Sequence, residues 1–139
     1  MIAFNGKEGI AMVAIPNGRD IEKTMKKDHP NVKEYCVFKE DDLPNDKEYC
    51  DAWEVDYKNN AIKINMDKAR EIHVTRMVNL GKRRLGELGL PMNLESPLYK
   101  AMPEEVNLFV GYLKSLKKET YSKHSTLKSL RTDIIDISI

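Results

Sequence analysis

The first 65 residues alternate apolar and polar positions in the manner of short β-strands. Apolar runs cover residues 1–4 and 9–15, and both runs are short and compatible with extended backbone. Between them stands Asn5-Gly6, a residue pair that favours a tight turn between antiparallel strands. The pattern therefore predicts an N-terminal β-hairpin with its turn at Asn5 and Gly6.

A third strand and a second hairpin are predicted further along. Residues 34–39 alternate with a period of two, and residues 52–57 place Trp53, Val55 and Tyr57 on one face. Asn59-Asn60 then leads into the apolar positions of residues 61–64. We expect the aromatic face of this hairpin to point inward, as part of a small antiparallel sheet.

After residue 65 the apolar spacing changes from strand-like to helical. Asn65 is a favourable helix N-cap, and Gly89 followed by Pro91 marks the end of the predicted helix. On a helical wheel one broad, mainly apolar stripe carries Met66, Ala69, His73, Val74, Met77, Leu80 and Leu88. The segment is thus predicted to be one long amphipathic helix.

A second helix is predicted from Pro103 to Thr120. Apolar side chains recur there at helical intervals, at Val106, Phe109, Val110, Leu113 and Leu116. Residues 121–132 are rich in Ser and Lys and leave two alternatives open, a linker or a weak helix. Residues 133–139 alternate Ile with polar residues like a strand, and this apolar tail is expected to dock against another surface.

The fold class that follows is α+β, with a small N-terminal antiparallel sheet, a long amphipathic helix and a second helical segment. The predicted organisation is a β domain over residues 1–65 and a helical region over residues 66–120. Residues 121–139 are left as a tail, linker or docking strand. The length of 139 residues fits one domain, or one domain with a helical arm.

Composition excludes several classes of protein. Hydrophobic residues make up 41% and charged residues 32%, and the mean hydropathy is −0.55. These values exclude a wholly disordered chain, and no apolar run approaches the ~18 residues that span a bilayer. No membrane partner is expected. The N-terminal residues do not resemble a secretory signal, so we expect folding in a cytoplasm.

Charge is balanced over the whole chain but not along it. Residues 1–65 carry 10 basic and 13 acidic side chains, and residues 66–139 carry 13 and 9. The acidic side chains concentrate between Glu34 and Asp56. Two interpretations remain open for this segment: a solvated acidic face, or a surface that meets a basic partner such as the basic half of another copy.

The residues that usually carry chemistry are scattered. His29, His73 and His124 are far apart, and Cys36 and Cys50 lack the spacing of a zinc or redox motif. We therefore predict no metal, no cofactor and no catalytic residue, and idle thiols rather than a disulfide. An enzyme remains a distant alternative, which requires a cleft that joins His73 to the carboxylates of residues 48–56.

Two kinds of contact surface are predicted instead. Apolar helical and tail positions in excess of what a small sheet covers predict a protein interface, formed by Met77, Leu80, Phe109, Leu113, Ile134, Ile135, Ile137 and Ile139. The alternative is a nucleic-acid surface on the basic side of the long helix, formed by Arg70, Arg76, Lys82, Arg83 and Arg84.

Residues 41–54 and 64–73 resemble a family of small phage and prophage proteins. The first segment contains the element D-L-P-x-D-x-x-x-x-x-A-W, at Asp42 to Trp53, and the second contains M-x-K-A-R-E-I-H, at Met66 to His73. The match covers about 40 residues in the middle of the chain. Relatives tend to show Arg-Thr-Phe-Arg where residues 47–50 stand here, and an Ala- and Gln-rich helix in place of residues 90–139.

The resemblance implies a role but no chemistry. Members of that family are usually encoded near tail genes and are described as hypothetical, tail-fibre or tail-assembly proteins. For this chain it implies a non-catalytic tail component or assembly factor that contacts phage tail or other virion proteins. A homo-oligomer or a larger assembly is expected, in the cytoplasm of the bacterial host or in the virion. A nucleic-acid-binding accessory protein is the alternative.

Overall fold

A computed structural model describes residues 1–6, 9–16 and 18–139 of the chain. They form two compact units, Met1–Lys68 and Ala69–Ile139. A small antiparallel sheet lies at the N-terminus, and a long helix with further helices follows it. The α+β class predicted from the sequence is therefore confirmed.

The first sheet has the strand order β2-β1-β3, with β1 spanning Ile2–Gly6, β2 Gly9–Val13 and β3 Cys36–Val37. Both pairings are antiparallel, which confirms the first hairpin. The predicted position of its turn is wrong, because Asn5 and Gly6 lie inside β1 and pair with Ile10 and Gly9. Residues 7 and 8, which connect the two strands, lie outside the described residues.

The segment between β2 and β3 contains a short helix, α1, at Ile21–Asp28. The Asp20 carboxylate accepts a hydrogen bond from the Lys23 amide at 3.1 Å and so caps the first turn. The third strand is shorter than the predicted residues 34–39. The predicted alternation is nevertheless present, since Cys36 and Phe38 are buried while Val37 is exposed.

The second sheet is the predicted aromatic hairpin, formed by β4 at Trp53–Asp56 and β5 at Ala61–Ile64. Trp53 and Val55 are buried, as the alternation predicts. At the turn Asn60 has φ of 47°, a left-handed conformation that asparagine tolerates better than most residues. Between the sheets the chain forms two short 3₁₀-helices, Glu40–Asp42 and Lys47–Ala52.

The side chain of Asn5 joins the two sheets. Its amide donates from Nδ2 to the Val55 carbonyl at 3.1 Å, and its Oδ1 accepts from the Val55 amide at 2.8 Å. One side chain thus replaces the strand partner that Val55 lacks on that edge of β4, which satisfies both of its buried backbone groups. This long-range role explains why Asn5 belongs to a strand rather than to a turn.

The long helix, α2, spans Met66–Glu87. The Lys68 amide donates to Asn65 Oδ1 at 3.2 Å, which confirms the predicted N-cap. The buried stripe consists of Ala69, His73, Met77, Gly81 and Leu85. It is rotated slightly from the predicted one, since Gly81 and Leu85 join it while Val74 and Leu80 are only half-buried and Leu88 is 42% exposed.

The second long helix, α3, spans Glu104–Ser115 and ends before the predicted Thr120. Leu116 is already extended, with ψ of 129°, and a 3₁₀-helix at Lys118–Tyr121 follows. A short helix, α4, forms at Leu127–Thr132, so the weak-helix alternative is correct there. Among the described residues, no helix is both long and apolar enough to cross a membrane.

Residues 133–139 dock onto α2, but they do not form the predicted strand. Their backbone carbonyls are bonded by side chains instead of by a neighbouring strand: Arg84 donates to Ile137 O at 3.2 Å and to Ile139 O at 3.3 Å. Ile135 is buried, whereas Ile134 is 54% exposed. The tail is therefore part of the second unit.

Candidate functional site

One side of α3 exposes two large apolar side chains. Phe109, Val110 and Leu113 are buried on the inner side of this helix. On the opposite side Leu108 is 66% exposed and Tyr112 is 44% exposed. These two side chains are four residues apart and therefore adjacent on the helix surface. We call Leu108, Gly111, Tyr112 and Ser115 the outer face of α3.

A close contact between α2 and α3 holds this face in place. A Cβ atom built on Gly81 of α2 lies only 2.4 Å from Leu113 Cδ2 and 2.5 Å from Leu113 Cδ1. Glycine at this position lets the buried Leu113 side chain reach the α2 backbone. Glycine destabilises a helix interior on its own, and at Gly81 the structure shows the packing site of α3.

Charged side chains stand at both ends of the outer face. Glu104 and Glu105 lie in the first turn of α3, and Lys114 lies in its last turn. Each charge has the sign that the helix dipole favours at its end. Lys114 also forms an ion pair with Glu95 at 3.1 Å. Along one side runs a groove of about 350 Å³, lined by residues that include Pro97, Val110 and Gly111.

A polar network lies elsewhere in the second unit, around α4. His124 Nε2 donates to Asp133 Oδ2 at 2.8 Å, and its Nδ1 lies 2.5 Å from Ser129 Oγ. The buried His73 donates from Nε2 to the Asp133 carbonyl at 2.8 Å, and its ring meets Tyr121 edge-on. The network therefore connects α2, α4 and the start of the C-terminal segment.

The contacts link Ser129 to His124 and His124 to Asp133. A nucleophile, its base and an orienting carboxylate are linked in the same way in hydrolytic enzymes. The amides nearest the serine are already bonded inside α4: the Ser129 amide donates to Thr126 Oγ1 and the Leu130 amide to Thr126 O. Neither is free to stabilise an oxyanion, which acyl transfer requires. The contacts of His124 with Ser129 and Asp133 connect α4 to the start of the C-terminal segment.

Two groups of this network have shifted pKa values. Burial lowers the pKa of His73 below its ordinary 6.5, against the opposing effect of its bond to the Asp133 carbonyl. The hydrogen bond from His124 lowers the pKa of Asp133, and the nearby Lys123 acts in the same direction. His73 is therefore held neutral at neutral pH, next to a carboxylate that stays charged.

This predicts a pH dependence of stability. As pH falls below about 6.5, the unfolded chain binds a proton at His73 that the folded chain resists. We expect the free energy of unfolding to have its full value above that pH and to decrease below it. Asp133 adds a further loss as pH falls below about 3.8, because its folded pKa is depressed.

Urea unfolding at a series of pH values measures this effect. His73→Gln keeps a donor near Nε2 but removes the titration, so the decrease that begins near pH 6.5 should flatten. His29→Gln, in the other unit, serves as the matched control and should retain the decrease. An unchanged pH profile in His73→Gln contradicts the assignment.

The predicted interface residues divide into two groups. Met77, Phe109, Leu113 and Ile135 are buried, so contacts within the chain already occupy them. Leu80, Ile137 and Ile139 are half-buried. Only Ile134 of this set is largely exposed.

The predicted nucleic-acid residues divide in the same way. Arg84 binds the tail carbonyls, and Arg70 donates to the His124 carbonyl at 2.7 Å. Both guanidinium groups are therefore used within the fold. Lys82 is half-buried. Arg76 and Arg83 are exposed and line one groove of about 310 Å³ together with Ile134.

Among the described residues, the cysteines and the other potential metal ligands form neither a disulfide nor a metal site. Both cysteines are free thiols, Cys36 buried and Cys50 exposed, and burial is the main cause that raises the pKa of Cys36. Within residues 1–6, 9–16 and 18–139, no cluster of three or more His, Cys, Asp or Glu side chains is placed to hold a metal ion.

Sequence reasoning did not select Leu108 and Tyr112. It identified the stripe that includes Phe109, Val110 and Leu113, which is the buried face. The opposite side of the same helical wheel indicates these residues. Leu108, Gly111 and Tyr112 form a strip without charge there, whereas the solvent-facing side of a surface helix usually carries charged and polar residues. Comparison with known proteins adds nothing to this picture, since no family model, curated protein or solved structure matches the chain.

Proposed function

We propose that this chain is a non-catalytic structural or assembly protein that acts through contacts with other protein chains. The observation that carries the proposal is the outer face of α3, where Leu108 is 66% exposed and Tyr112 is 44% exposed. Single exposed apolar residues are ordinary, but adjacent ones on a helix face offer a stripe for another chain. Covering them releases about 25 cal/mol per Å² of apolar surface.

The proposed partners are phage tail or other virion proteins. The support is the resemblance of residues 41–54 and 64–73 to small phage and prophage proteins encoded near tail genes. The chain then works in the cytoplasm of a bacterial host, as an assembly factor or as a component that enters the particle. The occupied amides around Ser129 support a non-catalytic role.

Binding of the purified chain to purified tail proteins encoded beside its gene tests this proposal. We expect at least one of them to co-elute with the chain, and Leu108→Lys to weaken that binding by roughly tenfold or more. Leu88→Lys is the matched control, because Leu88 is also an exposed leucine but lies outside α3. Equal binding by both variants, or no binding to any tail protein, contradicts the proposal.

The groove that Arg76 and Arg83 line supports a second candidate function, nucleic-acid binding. Arginine side chains neutralise phosphates, and such binding weakens steeply as salt rises. An Arg76→Ala/Arg83→Ala double variant should then bind duplex DNA more weakly and with a salt slope smaller by about 2. DNA binding that is unaffected by the double variant excludes this surface.

A further inference from the structure

We propose that the outer face of α3 pairs in antiparallel orientation with the same face of a second copy of this chain. This inference rests on the proposed function. Because the second copy and a tail protein use the same face, a bound tail protein replaces the second copy. Each copy presents the same patch to the other, so the pair has twofold symmetry and closes without further addition. Three features of the structure support it: a glycine, the distribution of charge and a groove.

The glycine is Gly111, at the centre of the outer face. A Cβ atom built there meets no atom of the described residues within 4 Å, so packing within that part of the chain does not account for a glycine in a helix interior, where glycine is destabilising. Gly81 provides the contrast, because its missing Cβ is explained by the Leu113 side chain. A second helix that crosses α3 closely at Gly111 gives this glycine the same explanation.

Charge selects the orientation and the partner. The acidic Glu104 and Glu105 occupy one end of α3. The other end carries Lys114, which also forms an ion pair with Glu95 within the chain, and the exposed Lys117 lies just beyond it. An antiparallel pair places the acidic end of each copy over the basic end of its partner, at both ends of the interface. A parallel pair places like charges together. The helix dipoles also favour the antiparallel arrangement.

The groove supplies a complementary shape. It runs beside Gly111, has a volume of about 350 Å³ and has a mixed lining, with Pro97 and Val110 beside polar and charged side chains such as Glu95 and Lys100. In a pair that crosses at Gly111, the projecting Leu108 of one copy points towards the groove of the other. Because α3 has only 12 residues, the interface is small and the association should be weak and dependent on concentration.

Sedimentation equilibrium of the purified full chain, over roughly a hundredfold range of concentration, measures this association. We expect the mean mass of the wild type to rise from that of one chain towards that of two. Leu108→Lys should remain a single chain over this range, and Leu88→Lys should behave as the wild type. A wild type that stays a single chain throughout overturns the inference, as does Leu108→Lys that associates normally.

Gly111→Ala gives a second test that does not depend on introducing a charge. Its new methyl group meets no atom within 4 Å in the part of the chain that the structure describes, so the melting temperature measured at low concentration should rise. The dissociation constant of the pair should nevertheless increase, by roughly tenfold, since the helices can no longer approach as closely. Tighter or unchanged association in Gly111→Ala contradicts a crossing at this residue.

Charge reversal tests the orientation. Glu104→Lys/Glu105→Lys and Lys114→Glu/Lys117→Glu should each fail to self-associate, whereas a mixture of the two should form pairs. Self-association of either variant alone contradicts the antiparallel arrangement.

Failure of this inference is distinct from failure of the proposed function: a single chain that still binds a tail protein through Leu108 refutes only the pairing. A paired chain that binds no tail protein refutes only the assignment to tail proteins.

Discussion

Leu113→Ala should reduce the free energy of unfolding by about 2–5 kcal/mol. Leu113 is 1% exposed, and its side chain fills the contact with the α2 backbone at Gly81. Removing it leaves a cavity between the two helices, because the Gly81 position offers no side chain to fill the space. Urea unfolding followed by far-ultraviolet circular dichroism measures the loss.

Gly81→Ala tests the same contact from the other helix. Its Cβ would lie 2.4 Å from Leu113 Cδ2, so we expect overpacking to cost about 1–3 kcal/mol and to outweigh the ~1 kcal/mol that alanine adds to helix stability. In the Leu113→Ala background the clash is absent, and the same change should stabilise the chain. The coupling energy of this double-mutant cycle should be about 1–3 kcal/mol.

Gly111→Ala is the matched control, because it also lies inside a helix but has open space around its Cβ position. At low protein concentration it should stabilise the chain by about 1 kcal/mol. If Gly81→Ala is as stabilising as Gly111→Ala, the close contact that positions α3 does not exist.

Asn5→Ala should cost about 2–4 kcal/mol, since it leaves both the amide and the carbonyl of Val55 without their partner. Val55 is only 5% exposed, so water does not readily replace the lost bonds. Amide hydrogen exchange should show faster exchange at Val55, in addition to the lower free energy of unfolding.

Asn31→Ala, at an exposed position of the same unit, provides the comparison and should cost less than about 0.5 kcal/mol. Asn5→Asp separates the two bonds, because the carboxylate retains the acceptor for the Val55 amide but loses the donor to its carbonyl. A cost for Asn5→Ala no greater than that for Asn31→Ala would show that the link between the sheets adds no stability.

The elements that the sequence predicts correctly are those with local signals. The alternation around Trp53 and Val55 and the turn residues between β4 and β5 lie within about a dozen positions, and that hairpin is confirmed. The same holds for Asn65, which caps α2 through the Lys68 amide three residues later. In each case the residues that determine the element are neighbours in the chain.

The errors arise where a distant residue determines the local structure. Asn5 has the local features of a turn residue, but its partner Val55 is 50 positions away. Gly81 weakens a helix on its own and is explained only by Leu113. The tail has the alternation of a strand, yet two of its carbonyls accept hydrogen bonds from the Arg84 side chain of α2. Spacing within a segment does not contain these contacts.

At the candidate site, too, the spacing of apolar residues does not identify which surface is exposed. The wheel of α3 correctly separates Phe109, Val110 and Leu113 as one face, but it does not say whether that face meets its own chain or another. The structure assigns those residues to the core. It leaves Leu108 and Tyr112 as the exposed apolar side chains that the account of function depends on.

Surface labelling of Leu108 and Tyr112 by hydroxyl radicals is the most direct test of this account. The labelling is measured in the dilute isolated chain and again in the assembled state, at high concentration or with a bound tail protein. We predict that both side chains become protected on assembly, while the exposed Leu88 and Val37 are labelled equally in the two states. Unchanged labelling of Leu108 and Tyr112 would contradict the claim that the outer face of α3 is the contact surface.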